Sequence, residues 1–170
     1  MVQKIFGATF VIIACGSVGF QMAANHRKEE SALRQLIRIL GYMECELQFR
    51  LTPLPLLCRQ VAKEFGHAMG TIFCELAQEI ESQNLPDISV CMKFVLEKHR
   101  QLPQITRSCL ELLGNVIGRF DLEGQKKELL VVKRECQRQL ELLASNRESR
   151  LRNYQTLSLC AGAALAILFV

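Results

Sequence analysis

The sequence predicts an all-α protein: an antiparallel helical bundle of about six helices, flanked by one N-terminal and one C-terminal transmembrane helix. Three observations predict it. Apolar residues recur at spacings of three and four, and no stretch shows the strict alternation of a half-buried strand. Pro53, Pro86 and Pro103 fall at the boundaries between the periodic stretches. Finally, each end of the chain holds a long uncharged run: neither Ile5–Ala24 nor Asn153–Val170 contains Asp, Glu, Lys or Arg, and Lys4 is the one charged side chain outside Arg27 to Arg152.

The first element is the expected span over residues 5–24. About 30 Å of hydrocarbon divided by about 1.5 Å of helical rise calls for roughly 20 apolar residues. The second expected span, 154–170, is slightly shorter. Its final stretch, Ala161 to Val170, has no polar face. A helix apolar all round belongs in lipid or deep inside a protein, and the segment from Arg27 to Arg152 is a small body in which to hide it. His26, Arg27 and Lys28 follow the first span, and Arg147, Arg150 and Arg152 precede the second. The positive-inside rule then puts the body, 27–152, in the cytosol. A cleaved signal peptide is the competing reading of residues 1–24, with Met22-Ala23-Ala24 imitating a cleavage site; the long apolar run and the bulk of Met22 favour a retained anchor.

Within the body, Leu33, Leu36, Leu40, Met43 and Leu47 make the seam of a long helix that can run unbroken from the first span, with Asn25 as the candidate bend. Thr52-Pro53 ends it and opens a second helix, Thr52 as N-cap and Pro53 at the first helical position. That helix lines up Leu54, Leu57, Cys58, Val61 and Phe65 and stops at Gly66. A third carries Met69, Ile72, Phe73, Leu76, Ala77 and Ile80. After the turn Asn84-Leu85-Pro86-Asp87, with Asp87 as cap, a fourth carries Ile88, Cys91, Met92, Val95 and Leu96. Pro103 separates it from a fifth with Ile105, Cys109, Leu112, Leu113, Val116 and Ile117. Gly118 to Asp121 closes the fifth, and Asp121 caps the last, whose seam is Leu129, Val132, Cys136, Leu140 and Leu143. No proline follows, so this helix can continue into the second span as a rod of roughly 50 residues, about 75 Å, with Ala144-Ser145-Asn146 its weak point. First and last helices rise from one membrane in opposite directions; packing their stripes together, with four shorter helices against them, makes the bundle.

The body holds every one of the 17 acidic residues and all but one of the 21 basic ones. That mild basicity suits a domain near anionic headgroups, not a nucleic-acid binder with dense basic clusters and stacking aromatics. Eight cysteines are scattered widely along the chain, with no CxxC pair, and Cys58, Cys91, Cys109 and Cys136 fall on apolar faces as small core residues. There is no phosphate-binding glycine loop, dinucleotide fingerprint, HExxH or GxSxG motif, so no cofactor and no metal is expected and the chain reads as a non-enzyme. His26, His67 and His99 each sit near a helix end. Glu44 and Glu46, two positions apart, face different sides of a helix, which disfavours a shared carboxylate site. Glu44 lies near the seam, where it is either solvated or paired to a basic residue of the last helix. Glu123, Lys126, Lys127, Glu128, Lys133, Arg134 and Glu135 alternate in sign along that helix: a solvated face, or a docking surface for an acidic partner. The spans carry no central charge, which argues against an ion path.

Taken in order, Gly19-Phe20 with Ala23, Glu44-x-Glu46 ahead of Thr52-Pro53-Leu54, Gly118-x-x-Asp121 ahead of Gln125-Lys126-Lys127, and a terminal span reaching the last residue make the chain resemble the stage III sporulation protein AB family over essentially its full length. It departs in its richness in Cys. The resemblance implies a fold similar to the cytoplasmic helical domain of type II secretion F proteins. It implies a place in the mother-cell membrane facing the forespore, within the stage III sporulation A assembly that helps build a channel between the two cells. The implied partners are other membrane proteins of that assembly and, by analogy, a secretion-type ATPase. On this view Glu44, Glu46, Thr52, Pro53, Gly118, Asp121, Gln125, Lys126 and Lys127 are structural caps or partner contacts. A non-enzymatic platform or adaptor leads. A homo-oligomeric scaffold or pore component built from the spans is the second reading. A membrane-tethered enzyme using Glu44, Glu46 and Asp121 is the third.

Overall fold

The computed structural model describes residues 2–50, 52–117 and 124–145, with side chains from Asn25 onward. Among the described residues there are six helices and no strand: α1 (Val2–Phe49), α2 (Leu54–Phe65), α3 (His67–Ser82), α4 (Ile88–Lys98), α5 (Gln104–Val116) and α6 (residues 124–145). The chain divides into two compact units, Met1–Lys28 with Glu141–Val170, and Glu29–Leu140; the second is the helical body.

The apolar periodicity becomes the core of that body. Leu33, Leu36, Leu40 and Met43 of α1 are fully buried, as are Leu57, Cys58 and Val61 of α2, Ile72 and Phe73 of α3, Met92, Val95 and Leu96 of α4, and Val132 and Cys136 of α6. The stripes differ from expectation at several positions, and on α6 Leu140 and Leu143 are only half-buried. Ile39 joins the α1 seam. On α5 the core face runs Thr106, Cys109, Leu110, Leu113 and Val116, so Leu110 takes the place expected for Leu112, and the Thr106 hydroxyl is buried with no hydrogen-bond partner.

Close approach between neighbours explains two of the helical glycines. A Cβ on Gly70 would lie 2.8 Å from the Ala62 carbonyl oxygen, where α3 folds back on α2. A Cβ on Gly114 would lie 2.6 Å from Met92 Cβ, where α5 crosses α4. The α2–α3 turn is a single residue: Gly66 has φ of 48°, and His67 follows at 51°. Gly66 N–H bonds back to the Ala62 carbonyl, so the glycine closes α2 as expected and opens α3 as well.

Several helix starts are held differently from the expectation. α2 begins one residue later, with Pro53 in the N-cap position, and no side chain caps it. Thr52 is therefore not its cap. Its hydroxyl turns back and donates to Glu46 Oε2 at 3.4 Å, and the side chain is buried there. Pro53 is extended (φ −55°, ψ 141°), Pro55 in the first turn gives up an N–H that has no intrahelical partner there, and Leu57 N–H bonds to the Pro53 carbonyl. Asp87 does occupy the N-cap position of α4, but its carboxylate accepts from the Ser89 hydroxyl at 3.0 Å instead of capping a backbone N–H. The first turn of α5, opened by Pro103, is held from a distance: Ile105 N–H donates to Glu29 Oε1 of α1 at 2.8 Å. A carboxylate there meets an orphan N–H and the positive end of the helix together.

Among the described residues no helix is long and apolar enough to cross a membrane. The expected spans fall outside the described side chains: α1 includes residues 5–24 only as backbone, and 154–170 is not described. The expected cap Asp121, with Gly118, also lies outside the described residues.

Candidate functional site

Of the residues singled out in the sequence, Glu44, Glu46, Thr52 and Pro53 lie where α1 ends and α2 begins, and Glu44 also meets α6. Lys133 of α6 donates to Glu44 Oε2 of α1 at 2.9 Å, each side chain a little over a quarter exposed. Gly41, one turn before Glu44, leaves the room: its Cβ position is 3.7 Å from Lys133 Nζ. Apolar contacts bring the two helices together, with Leu40 and Met43 buried on one side and Leu129, Val132 and Cys136 on the other. A half-exposed pair in this setting contributes up to about 1 kcal/mol, and its greater effect is to favour one register, since a slipped helix would leave Glu44 facing apolar neighbours.

Glu46 points elsewhere. Its carboxylate receives the Thr52 hydroxyl and lies 3.7 Å from Arg50. It thereby ties the last turn of α1 to the start of α2. Glu44 and Glu46 thus bind different partners and share none. Tyr42, one turn back, packs edge-on against Phe65, with ring centroids 5.8 Å apart. Its phenol is pushed up from its ordinary value by desolvation first, then by Glu46 and Glu64.

Chain direction bears on Gln125, Lys126 and Lys127. Cys109 of α5 and Cys136 of α6 are in side-chain contact. α5 ends at Val116 and α6 is helical by residue 124, and a helix returning antiparallel along α5 sets Cys136 beside Cys109. Gln125, Lys126 and Lys127 then lie about two turns beyond Lys133, toward the end of α1. Gln125 and Lys126 are half-buried and Lys127 is exposed. Phe49, the last residue of α1, is 74% exposed, and Leu56 in the first turn of α2 is also exposed.

The other candidate groups do not converge. His26 and His67 are exposed. His99, at the end of α4, has Nε2 3.0 Å from Glu75 Oε1 of α3. Beside it Lys98 reaches Glu79, and Arg59 of α2 forms a two-pronged pair with Glu81 of α3. A shallow open depression over the α2–α3 turn is lined by Arg59, Lys63, His67 and Thr71. Among the described residues no group of His, Cys, Asp and Glu could hold a metal ion. Cys58, Cys91, Cys109 and Cys136 are buried. Burial lifts the Cys58 thiol up to about 12, and the Cys136 thiol is raised by its hydrogen bond to Cys109 together with burial. Sequence reading missed Glu29 as the cap of α5, because an N-cap contributed from 76 residues away leaves no local signature.

This fold and this seam define an all-α bundle protein whose polar side chains join helix to helix. The comparisons give the particular family. The model of the stage III sporulation protein AB family matches residues 4–170, and the chain belongs to that family. It is similar to stage III sporulation protein AB of Bacillus subtilis (strain 168), with 26% identity over 129 residues, 74% of this chain and 75% of the relative. It also resembles a solved structure of stage III sporulation protein AB (SpoIIIAB), with a TM-score of 0.63 and 19% identity over 72% of this chain and 98% of that one. At that identity the likeness supports the fold alone. Sporulation is thus the process to which the family assigns this protein.

Proposed function

We propose that the chain is a non-enzymatic platform or adaptor of sporulation. In this reading it is anchored in the mother-cell membrane by residues 5–24 and 154–170, with the helical body in the cytosol. The body offers a rigid docking surface to a secretion-type ATPase and links its movement to other membrane proteins of the stage III sporulation A assembly. The observation that carries the reading is the arrangement of the chain: a charge-bearing bundle bracketed by two uncharged segments, Ile5–Ala24 and Asn153–Val170, with three basic or titratable cationic side chains on the bundle side of each and Lys4 alone on the far side. Membership in a sporulation family supplies the process. The exchange of polar groups between helices supplies the rigidity, since Glu29, Glu44 and Glu75 each reach a different helix.

A membrane-impermeant thiol reagent tests the topology. Cys45 is exposed on the body. In a variant retaining only that cysteine, labelling is expected after permeabilisation of mother-cell protoplasts and not before. Labelling in intact protoplasts would place the body outside and end the platform reading. Co-purification of the detergent-solubilised chain with the ATPase from sporulating cells tests the partner.

A further inference from the structure

Residues 129–132 of α6 read Leu-Leu-Val-Val. Leu129 and Val132 are buried and meet the helical period for a core stripe. Leu130 and Val131 are surplus to it: they are 36% and 50% exposed on the far side. A solvated helix face has no use for an aliphatic pair, and Val is a poorer helix former than the Lys, Glu or Gln that usually occupy such positions. Spacings of three and four place Lys127 and Arg134 on the same outward face as Val131. Both are exposed, and neither makes an ion pair among the described residues. Arg138, next along, is held by Glu135, and Glu128 and Glu135, three and four residues from Val131, border one edge of the face.

We propose that this face, Lys127, Leu130, Val131 and Arg134, is the seat of a protein partner that presents carboxylates around an apolar contact. Charge complementarity selects that occupant: two uncommitted cations flank an apolar centre. A second copy docking through its exposed pair on α4, Val90 and Phe94, would set Lys93 against these cations, while Lys98 beside it is already paired with Glu79. A bilayer fits poorly too, since a helix lying in the interface needs a wide apolar face with aromatic anchors, and here the wide apolar face of α6 is already in the core. The inference rests on the platform reading for the partner being a protein, and it adds where and by what chemistry that protein binds.

The test uses the full-length chain in sporulating cells, with photoreactive p-benzoylphenylalanine replacing Val131 or, as a control, the exposed Gln78 of α3. The expected result is a protein adduct from position 131 and not from 78, mapped by mass spectrometry to a peptide containing Asp or Glu. Lys127→Glu with Arg134→Glu should reduce its yield about tenfold or more, and Lys substitutions at the carboxylates of the mapped peptide should restore it. A lipid adduct alone, an adduct to a second copy, no adduct, or one indifferent to charge reversal overturns the proposal. If the adducted protein is not the secretion-type ATPase, the docking face stands and that partner assignment falls. If the ATPase still co-purifies with the charge-reversed chain, the assignment stands and this face is not its seat.

Discussion

Gly114 and Gly41 are both helical and both lie at helix crossings, yet the same substitution should act oppositely on them. Replacing an interior helical glycine by alanine gains up to about 1 kcal/mol in backbone propensity. At Gly41 the new methyl would meet only Lys133 Nζ, at 3.7 Å, the far end of a flexible side chain. The gain survives, and Gly41→Ala should be neutral or stabilising by up to about 1 kcal/mol. At Gly114 the methyl would stand 2.6 Å from Met92 Cβ, 2.9 Å from its Cγ and 3.6 Å from Ser89 Cα. Carbon atoms rest at about 3.5–4.0 Å, and a Cβ is fixed to its backbone, so α4 and α5 must separate by about 1 Å. Overpacking of this kind costs about 1–3 kcal/mol. Gly114 also lies in the last turn of α5, where the propensity gain is small, so Gly114→Ala should destabilise by about 1–2 kcal/mol. At roughly 4 °C per kcal/mol for a body of this size, thermal melting of the detergent-solubilised full-length chain, followed by helical circular dichroism, should separate the two variants by about 5–10 °C. Equal shifts, or a Gly114→Ala variant that melts at or above the parent, would refute the packing argument.

Other expectations follow from single contacts. Glu29→Ala should cost about 0.5–2 kcal/mol, the usual loss of an N-terminal cap, because it frees the Ile105 N–H at the start of α5; a melting point equal to that of the parent would contradict that role. Thr52→Ala should cost less than cap removal, about 0.5 kcal/mol, since its hydroxyl makes only a 3.4 Å contact with Glu46; a loss near ~2 kcal/mol would restore the cap assignment. Cys45, which is exposed, should alkylate in the folded protein, while Cys58 should react only on unfolding, because it is buried and burial raises its thiol from 9.0 to about 12. The sign follows: the native state keeps the proton longer than the unfolded state, so the Cys58 contribution is complete below pH 9 and is lost as pH rises toward 12. Quantitative labelling of Cys58 in the native protein would overturn its placement.

The fold was legible wherever one face of a helix had to be apolar. The stripes of α1, α2, α3, α4 and α6 were visible because burial is dictated by period alone, and nothing else in the chain produces the spacing of Leu33, Leu36, Leu40 and Met43. What was hidden depended on the partner helix. On α5, Leu110 and Leu112 are equally apolar, and the angle at which α4 and α6 meet that helix decides between them; Thr106 was passed over because a hydroxyl on the core face breaks the apolar pattern. Thr52-Pro53 has the grammar of a cap, but the nearby Glu46 carboxylate engages the hydroxyl and the helix starts one residue later. The proximity of Glu44 to the last helix could be inferred from its place on the seam. Its choice of Lys133 among the neighbouring cations could not, because that depends on the register fixed by Gly41 and the core.

A charge swap separates a structural role for Glu44 from a chemical one. If Glu44 acted as an acid, base or nucleophile, its carboxylate would be needed at that position, and no exchange of charge could replace it. If it serves to join α1 to α6, only the complementarity matters. Glu44→Lys alone sets two ammonium groups against each other across the 2.9 Å contact. With both side chains a little over a quarter exposed, solvent screens much of that repulsion, so the loss should be about 1–2 kcal/mol. Adding Lys133→Glu should recover most of it, since carboxylate and ammonium then face each other again over Gly41, with room to adjust. Melting of the double variant near the parent, together with restored sporulation, is the expected outcome. A double variant that is as stable as the parent yet fails to sporulate would mean the carboxylate itself is required, whether for chemistry or for direct contact with a partner, and the purely structural account of Glu44 would be wrong.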